Sequence, residues 1–111
     1  MYDRFVKLTE KHELEFFGAG LYANPWCMSC LAGFNEADEI STERFKRWSS
    51  DMIESSLELG GTIEAVHGVG LRLAHYMERE IGPVGLELLR SIKRLLDPKN
   101  ILNPGKRALG E

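Results

Sequence analysis

The most informative stretch of the chain is GGTIEAVHGVG, at residues 60–70, in which glycines flank a short apolar run and one histidine. Its β-branched residues predict a short strand over Thr62–Val66, and the glycines that follow predict a loop. This order places His67 on a loop held by regular elements, where binding and catalytic side chains tend to lie. Strand alternation would put Glu64 on the face opposite to His67, so we assign Glu64 no role.

The region before this stretch predicts two strands and a helix. Residues 1–11 carry no clear pattern, and we interpret them as the end of a helix. The stretch Glu13–Phe17 begins a strand, and Trp26–Phe34 is a second strand beyond the break at Asn24–Pro25.

A helix is predicted from Ser41–Thr42, which are good N-cap residues, to the glycine pair at 60–61. Its apolar residues recur at spacings of three and four, which gives the helix one apolar face. They are Phe45, Trp48, Met52, Ile53 and Leu57.

Two helices are predicted after the glycine loop. The first covers 71–80, and the second covers 83–96 because Gly82–Pro83 interrupts the pattern and proline suits a first helical position. Asp97–Pro98 ends the second helix, and the tail turns at Asn103–Pro104–Gly105. The second helix has an apolar stripe that we expect to be buried, formed by Val84, Leu88, Ile92 and Leu95.

These elements favour an α+β fold in which helices cover one face of a small antiparallel sheet. The chain has 111 residues, enough for one small domain. Such a layer leaves much apolar surface uncovered. We therefore expect the chain to need a partner or the rest of a longer polypeptide.

The composition is that of an ordinary globular domain, with 43% hydrophobic and 28% charged residues. No apolar run is long enough for a transmembrane segment, and the N-terminus lacks a signal pattern, so we expect a cytoplasmic protein. The net charge of −3 argues against nucleic-acid binding, which needs clustered Lys and Arg.

The sequence Trp26-Cys27-Met28-Ser29-Cys30 contains a Cys-x-x-Cys spacing. Two small residues in a strand are the leading interpretation. A thioredoxin-like redox pair is an alternative, although Leu31-Ala32-Gly33 begins a helix poorly. A zinc site is disfavoured because it needs four ligands.

The region from Gly60 to Lys106 resembles the C-terminal end of the FAD-linked oxidases of the vanillyl-alcohol oxidase type. This family includes glycolate oxidase, D-lactate dehydrogenase and alkyl-dihydroxyacetone-phosphate synthase branches. The matching pieces are Gly60-Gly61-Thr62-Ile63, His67-Gly68-Val69-Gly70, Ile92-Lys93, Asp97-Pro98 and Asn103-Pro104-Gly105-Lys106.

The resemblance implies the C-terminal part of a cap, or substrate, domain of ferredoxin-like type over residues 1–111. It implies FAD as cofactor and an alcohol or 2-hydroxy acid as substrate. Within this chain, His67 would face the substrate beside the flavin. Further candidates are Arg72 and Tyr76 for substrate binding, and Gly68, Gly70, Asn103 and Lys106 on the cofactor side.

Two departures from the family pattern shape these expectations. Val66 stands where the α-hydroxy-acid branches carry glutamate, and Gly18–Asn24 lacks their histidines and aspartates. We therefore expect no metal site. The chain has no room for the family's flavin-binding domain, so we expect that domain or subunit as partner and no activity from this chain alone.

The chain's exposed apolar face leaves a second hypothesis open. It would be a non-catalytic module that keeps the fold and forms a homo-oligomer through that face.

Overall fold

The computed structural model describes residues 1–21, 27–65 and 67–109. They form two compact units, Met1–Gly61 and Thr62–Glu111. Within these residues, two antiparallel strands and three α-helices confirm the α+β fold class. The first unit contains α1 (Tyr2–Lys11), β1 (Glu15–Leu21), β2 (Met28–Gly33) and α2 (Glu39–Glu58), and the second contains a 3₁₀ turn (Ala74–Tyr76), α3 (Met77–Leu96) and a second 3₁₀ turn (Lys106–Ala108).

The two strands of the first unit form an antiparallel pair. Glu15 lies opposite Gly33 and Leu21 lies opposite Met28, with an irregularity between Phe16 and Gly18. The predicted pair of strands is confirmed. The predicted break at Asn24–Pro25 and the start of the second strand at Trp26 lie outside the described residues.

Helix α1 anchors the core of the first unit. Its Phe5 is fully buried, and the Phe5 ring centroid lies 5.2 Å from that of Phe16 and 6.1 Å from that of Trp48. The buried Thr9 hydroxyl donates to the Phe5 carbonyl at 2.8 Å and accepts from Trp48 Nε1 at 3.2 Å. Residues 1–11 therefore form a structural helix, although their sequence pattern is weak.

Helix α2 matches the predicted element except at its start. The N-cap is Asp38, whose carboxylate accepts the backbone N–H of Ile40 at 3.0 Å, so the prediction of Ser41–Thr42 was wrong. Asp38 has an extended backbone and an oxygen in reach of the first turn, which suits a cap. The predicted apolar face is buried or half-buried, and Gly60 follows the helix with a left-handed φ of 74°.

The second unit begins without the predicted strand. Residues 62–65 are irregular and bent, and Val66 lies outside the described residues. The reason is a contact distant in sequence. The backbone N–H of Ile63 donates to the Glu80 carboxylate at 3.0 Å, and the Ile63 side chain is buried in the unit.

Helix α3 starts later than predicted and is kinked where predicted. Residues 71–76 form turns, so the predicted helix over 71–80 was wrong except for its last residues, from Met77. Gly82 has non-helical φ and ψ of 74° and 165°, which confirms the break at Gly82–Pro83. Glycine adopts this φ without the strain that a Cβ would bring.

The apolar stripe of α3 is exposed, so the prediction that it is buried was wrong. Val84 is 83% exposed and Leu95 is 80% exposed, whereas Leu86 on the other side of the helix is 3% exposed. Periodicity shows that a face is apolar but not whether the chain supplies a cover for it. No helix among the described residues is long and apolar enough to cross a membrane.

Candidate functional site

The glycine loop presents His67 at the surface of the second unit. The His67 side chain is 78% exposed. Gly68 and Gly70 follow with left-handed φ values of 78° and 58°, and a Cβ built at either position would meet no atom within 4 Å. The surface beside the imidazole is therefore open and free of side chains at two positions. A flat ligand can approach such backbone closely.

Buried residues on both sides hold this loop in place. Before the loop, Ile63 is 7% exposed and is bonded to Glu80. After it, Leu73 is 2% exposed, and its backbone N–H donates to the Val69 carbonyl at 3.3 Å. An exposed histidine on an anchored loop is typical of binding and catalytic sites.

The C-terminal tail is hydrogen-bonded to the same loop. The backbone N–H of Arg107 donates to the Gly70 carbonyl at 2.9 Å. A Cβ at Gly105 would lie 3.5 Å from Leu71 Cδ2, so the tail packs against the turn that follows the loop. The two sequence segments predicted for the cofactor side are thus brought together.

The predicted tail residues Asn103 and Lys106 are exposed at this junction. Asn103 has a left-handed φ of 50°, and its carbonyl accepts the Lys106 N–H at 3.3 Å. Arg107, which sequence reasoning did not select, also has a left-handed φ of 57°. Two cationic residues therefore follow one another beside the glycine loop.

Asp97 organises the start of the tail. Its two carboxylate oxygens accept the backbone N–H groups of Ile101 at 3.0 Å and Leu102 at 2.8 Å. The Lys93 ammonium also bonds to this carboxylate and is the main reason why the pKa of Asp97 is lowered. The turn at Asp97–Pro98 therefore has a physical basis beyond the proline.

The two predicted substrate-binding side chains have different surroundings. Arg72 is exposed in the turn after the loop. Tyr76 is only 8% exposed, and its ring centroid lies 4.1 Å from that of His75. Arg72 is accessible to a ligand, whereas the Tyr76 ring contributes to the core of the unit.

Glu64 is the residue that sequence reasoning missed. Its Oε1 accepts the backbone N–H groups of Ala65 at 3.0 Å and His67 at 3.3 Å, and lies 3.9 Å from His67 Nδ1. The strand interpretation placed Glu64 on the face opposite to His67, which was wrong because residues 62–65 bend. A glutamate three residues before a loop histidine can make such a contact when the backbone between them is bent and not an extended strand.

The cysteine pair lies in the first unit, on or beside β2. Partial burial raises the pKa of Cys30 to about 11, so Cys30 is a protonated thiol at neutral pH. In a thioredoxin-like pair the first cysteine reacts as the thiolate, so the raised pKa of Cys30, the second cysteine, does not test that alternative. Within the described part of the chain, no three His, Cys, Asp or Glu side chains group closely enough to hold a metal ion.

Comparison with known proteins assigns the chain to a family. The family model for the C-terminal domain of FAD-linked oxidases matches residues 1–107 of the chain. The chain is 38% identical over 78 residues to the glycolate oxidase subunit GlcD of Bacillus subtilis, and 37% identical over 73 residues to the mitochondrial cytochrome D-lactate dehydrogenase of Arabidopsis thaliana. It is 32% identical over 102 residues to the D-2-hydroxyglutarate dehydrogenase of Haemophilus influenzae.

These matches cover 70%, 66% and 92% of this chain but only 16%, 13% and 10% of the three relatives. No solved structure gives a significant match. The family match includes both compact units, the glycine loop and the tail up to Arg107. The chain therefore belongs to the FAD-linked oxidases and corresponds to their C-terminal domain.

Proposed function

We propose that this chain is the C-terminal part of the substrate domain of an FAD-dependent oxidoreductase that oxidises an alcohol or 2-hydroxy acid. The observation that carries the proposal is the exposed His67 on an anchored glycine loop within a chain of this family. The three relatives named above are, by name, a glycolate oxidase subunit, a D-lactate dehydrogenase and a D-2-hydroxyglutarate dehydrogenase. All three names indicate 2-hydroxy acids as substrates.

In this proposal His67 accepts the proton of the substrate hydroxyl group. Loss of a hydride from the carbinol carbon yields a carbonyl only if the hydroxyl proton also leaves. A neutral imidazole is suited to accept that proton near neutral pH. Arg72 is the candidate for holding a substrate carboxylate, because a guanidinium can donate two parallel hydrogen bonds to it.

The residues around the loop fit one wall of a flavin site. Gly68 and Gly70 leave open space where a side chain would obstruct a flat ring. Asn103 and Lys106 lie on the tail segment that is tied to Gly70, with polar and cationic groups for the cofactor side. When bound, the flavin supplies the hydride acceptor, and a flavin-binding domain or subunit would provide the rest of its site.

The exposed stripe of α3 supports a partner of this kind. Its residues are 45–83% exposed, although apolar side chains in such a row are normally covered. We place the flavin-binding domain or subunit on this face.

Co-expression with the product of the neighbouring gene tests the proposal. We expect a yellow complex whose flavin is reduced by 2-hydroxy acids or alcohols. Replacing a general base costs on the order of 10²–10⁴-fold in rate, so His67→Ala should slow flavin reduction by about that factor. His75→Ala is the matched control and should reduce flavin at the wild-type rate. Equal rates in both variants would remove His67 from the mechanism.

The second candidate function is the non-catalytic module that forms a homo-oligomer. The same exposed stripe favours it, because a second copy can cover an apolar helix face. This hypothesis is tested by measuring the oligomeric state of the isolated chain and of its Leu88→Glu variant by analytical ultracentrifugation. A monomer at all concentrations would exclude it, whereas an oligomer that Leu88→Glu dissociates would support it.

The thioredoxin-like alternative depends on the reactivity of Cys27, the first cysteine of the pair. Thiol alkylation at neutral pH gives a direct test. We expect slow reaction at Cys27, and rapid alkylation there would support the redox hypothesis.

A further inference from the structure

We propose that Glu64 is a positioning residue that orients the imidazole of His67 and fixes its tautomer. The inference rests on the function proposed above, in which His67 accepts a proton. It concerns a residue that the glycine loop itself brings to His67, through a bend that strand periodicity does not predict.

The Glu64 carboxylate is fixed by the backbone of the loop. Its Oε1 accepts the N–H groups of Ala65 and His67, and its side chain is only 17% exposed. Two backbone hydrogen bonds to one oxygen restrict the rotamer of this side chain. The negative charge is therefore held in one place, in contrast to a solvated surface glutamate.

The same oxygen faces one nitrogen of the imidazole. Glu64 Oε1 lies 3.9 Å from His67 Nδ1, which is within ion-pair distance but too long for a hydrogen bond. Hydrogen bonds between catalytic groups are often long in the free enzyme and shorten when the substrate is bound.

This arrangement has a defined consequence for proton transfer. A carboxylate near Nδ1 favours the tautomer that carries its proton on Nδ1, which leaves Nε2 as the acceptor. Nε2 would then accept the hydroxyl proton of the substrate, and a bound flavin would supply the acceptor for the hydride from the carbinol carbon. The resulting imidazolium is stabilised by the charge of Glu64, as in other pairs of histidine and carboxylate.

The tautomer of His67 can be measured in the chain alone, without flavin. The ¹⁵N chemical shifts of a neutral imidazole, recorded at alkaline pH, distinguish its two tautomers. We expect an excess of the Nδ1–H tautomer in the wild type. Glu64→Gln keeps an oxygen for the two backbone N–H groups but removes the charge, and should decrease this excess. Glu64→Ala should bring the ratio to that of a histidine in an unfolded peptide.

Glu78→Gln is the matched control, because it removes one negative charge from the first turn of α3 and should leave the His67 signals unchanged. The backbone amide signals of Ala65 and His67 report whether the loop keeps its conformation in each variant. Identical tautomer ratios in the wild type and both Glu64 variants would overturn the proposal.

Kinetics of the flavin-containing complex give a second, separate test. Glu64→Gln should lower the maximal rate of flavin reduction about tenfold and change the half-saturating substrate concentration less than twofold, since the lost interaction acts in the transition state. An unchanged maximal rate would overturn the role of Glu64 alone. If His67→Ala also reduces flavin at the wild-type rate, the role proposed for His67 falls, and the role of Glu64 falls with it.

Discussion

Helices α2 and α3 have the same length, 20 residues, and both carry an apolar stripe, but the two stripes have opposite burial. In α2 the stripe is buried or half-buried, and Trp48 lies in an aromatic cluster with Phe5 and Phe45. In α3 the stripe is exposed, with Leu88 at 62%. An amphipathic pattern thus identifies the apolar face of a helix. Only the exposure of that face in the structure shows whether other parts of the same chain cover it.

The difference also separates two roles. In the first unit, Phe5 of α1 and Phe16 of β1 belong to the aromatic cluster that also contains Trp48 of α2. The second unit carries the glycine loop and the tail, and it leaves the stripe of α3 exposed. In our proposal this stripe meets the flavin-binding partner, so that the site and the docking face belong to the same unit.

The largest expected effect contrasts the two stripes directly. Trp48→Ala should destabilise the first unit by about 3–5 kcal/mol, because it opens a cavity in the aromatic core and removes the hydrogen-bond donor to the Thr9 hydroxyl. Urea unfolding followed by far-UV circular dichroism measures this loss.

Leu88→Ala in α3 is the matched change on the exposed stripe. It should alter the stability of the chain by less than about 0.5 kcal/mol, because an exposed side chain loses little by truncation. A loss similar to that of Trp48→Ala would mean that the α3 stripe is covered within the chain, which would break the contrast between the two helices.

Local signals were sufficient to predict α2 and the kink of α3. Helix α2 has a regular apolar spacing and a glycine stop, and Gly82–Pro83 interrupts a helix through its own backbone geometry. These features depend on neighbouring residues alone. The resemblance likewise rested on the glycines and prolines between Gly60 and Lys106, although the family match extends over residues 1–107.

The strand that was wrongly predicted over Thr62–Val66 shows why the structure of this segment could not be predicted from the sequence. Three of these five residues have β-branched side chains and fit a strand, but the backbone N–H of Ile63 donates a hydrogen bond to Glu80, 17 positions away. Such a contact leaves no trace in local periodicity. The same error hid Glu64, because the bend that turns its carboxylate to His67 exists only in the absence of the strand.

A smaller effect is expected in the tail that follows α3. The stripe of α3 is exposed, and the tail is ordered instead by hydrogen bonds to Asp97. Asp97→Asn replaces one of the two carboxylate oxygens by an NH₂ group, which cannot accept the backbone N–H that this oxygen binds, and removes the charge that pairs with Lys93. We expect faster amide hydrogen exchange at Ile101 and Leu102 in the variant, with no change in α2.

The contribution of Asp97 depends on pH in a defined direction. The bond to Lys93 and the two backbone bonds hold its pKa below the ordinary value of 3.8. Its stabilising effect is therefore complete above that value and is lost as the pH falls through the lowered pKa. Protection of the two amides should decrease in acid in the wild type, and a pH-independent protection would contradict the role of Asp97.

A gain in stability is expected at the other end of the tail. Ala108 has a left-handed φ of 53°, which a Cβ disfavours, while its carbonyl accepts Arg90 Nε at 2.8 Å. Ala108→Gly relieves the strain and keeps this bond, so it should stabilise the second unit by about 0.5–1 kcal/mol after the entropy cost of glycine. Ala74→Gly, in the first 3₁₀ turn, should destabilise it by a similar amount. Equal losses in both variants would show that the tail is not strained.

The smallest effect is expected from the ion pairs that join α1 to α2. Asp51 Oδ2 lies 2.8 Å from Lys11 Nζ and 2.8 Å from His12 Nε2. The hydrogen bonds from Lys11 and then His12 lower the pKa of Asp51 in the folded chain. The stabilising contribution of Asp51 is therefore present above its unfolded-state pKa and disappears as the pH falls through its folded-state pKa.

The Asp51 side chain is 36% exposed, and solvent screening limits the loss of stability in Asp51→Asn to about 0.5 kcal/mol at neutral pH. Urea unfolding at neutral and acidic pH should show a difference from the wild type that vanishes in acid. A loss as large as that of Trp48→Ala would mean that charge pairing, and not the aromatic cluster, holds α2 in the first unit.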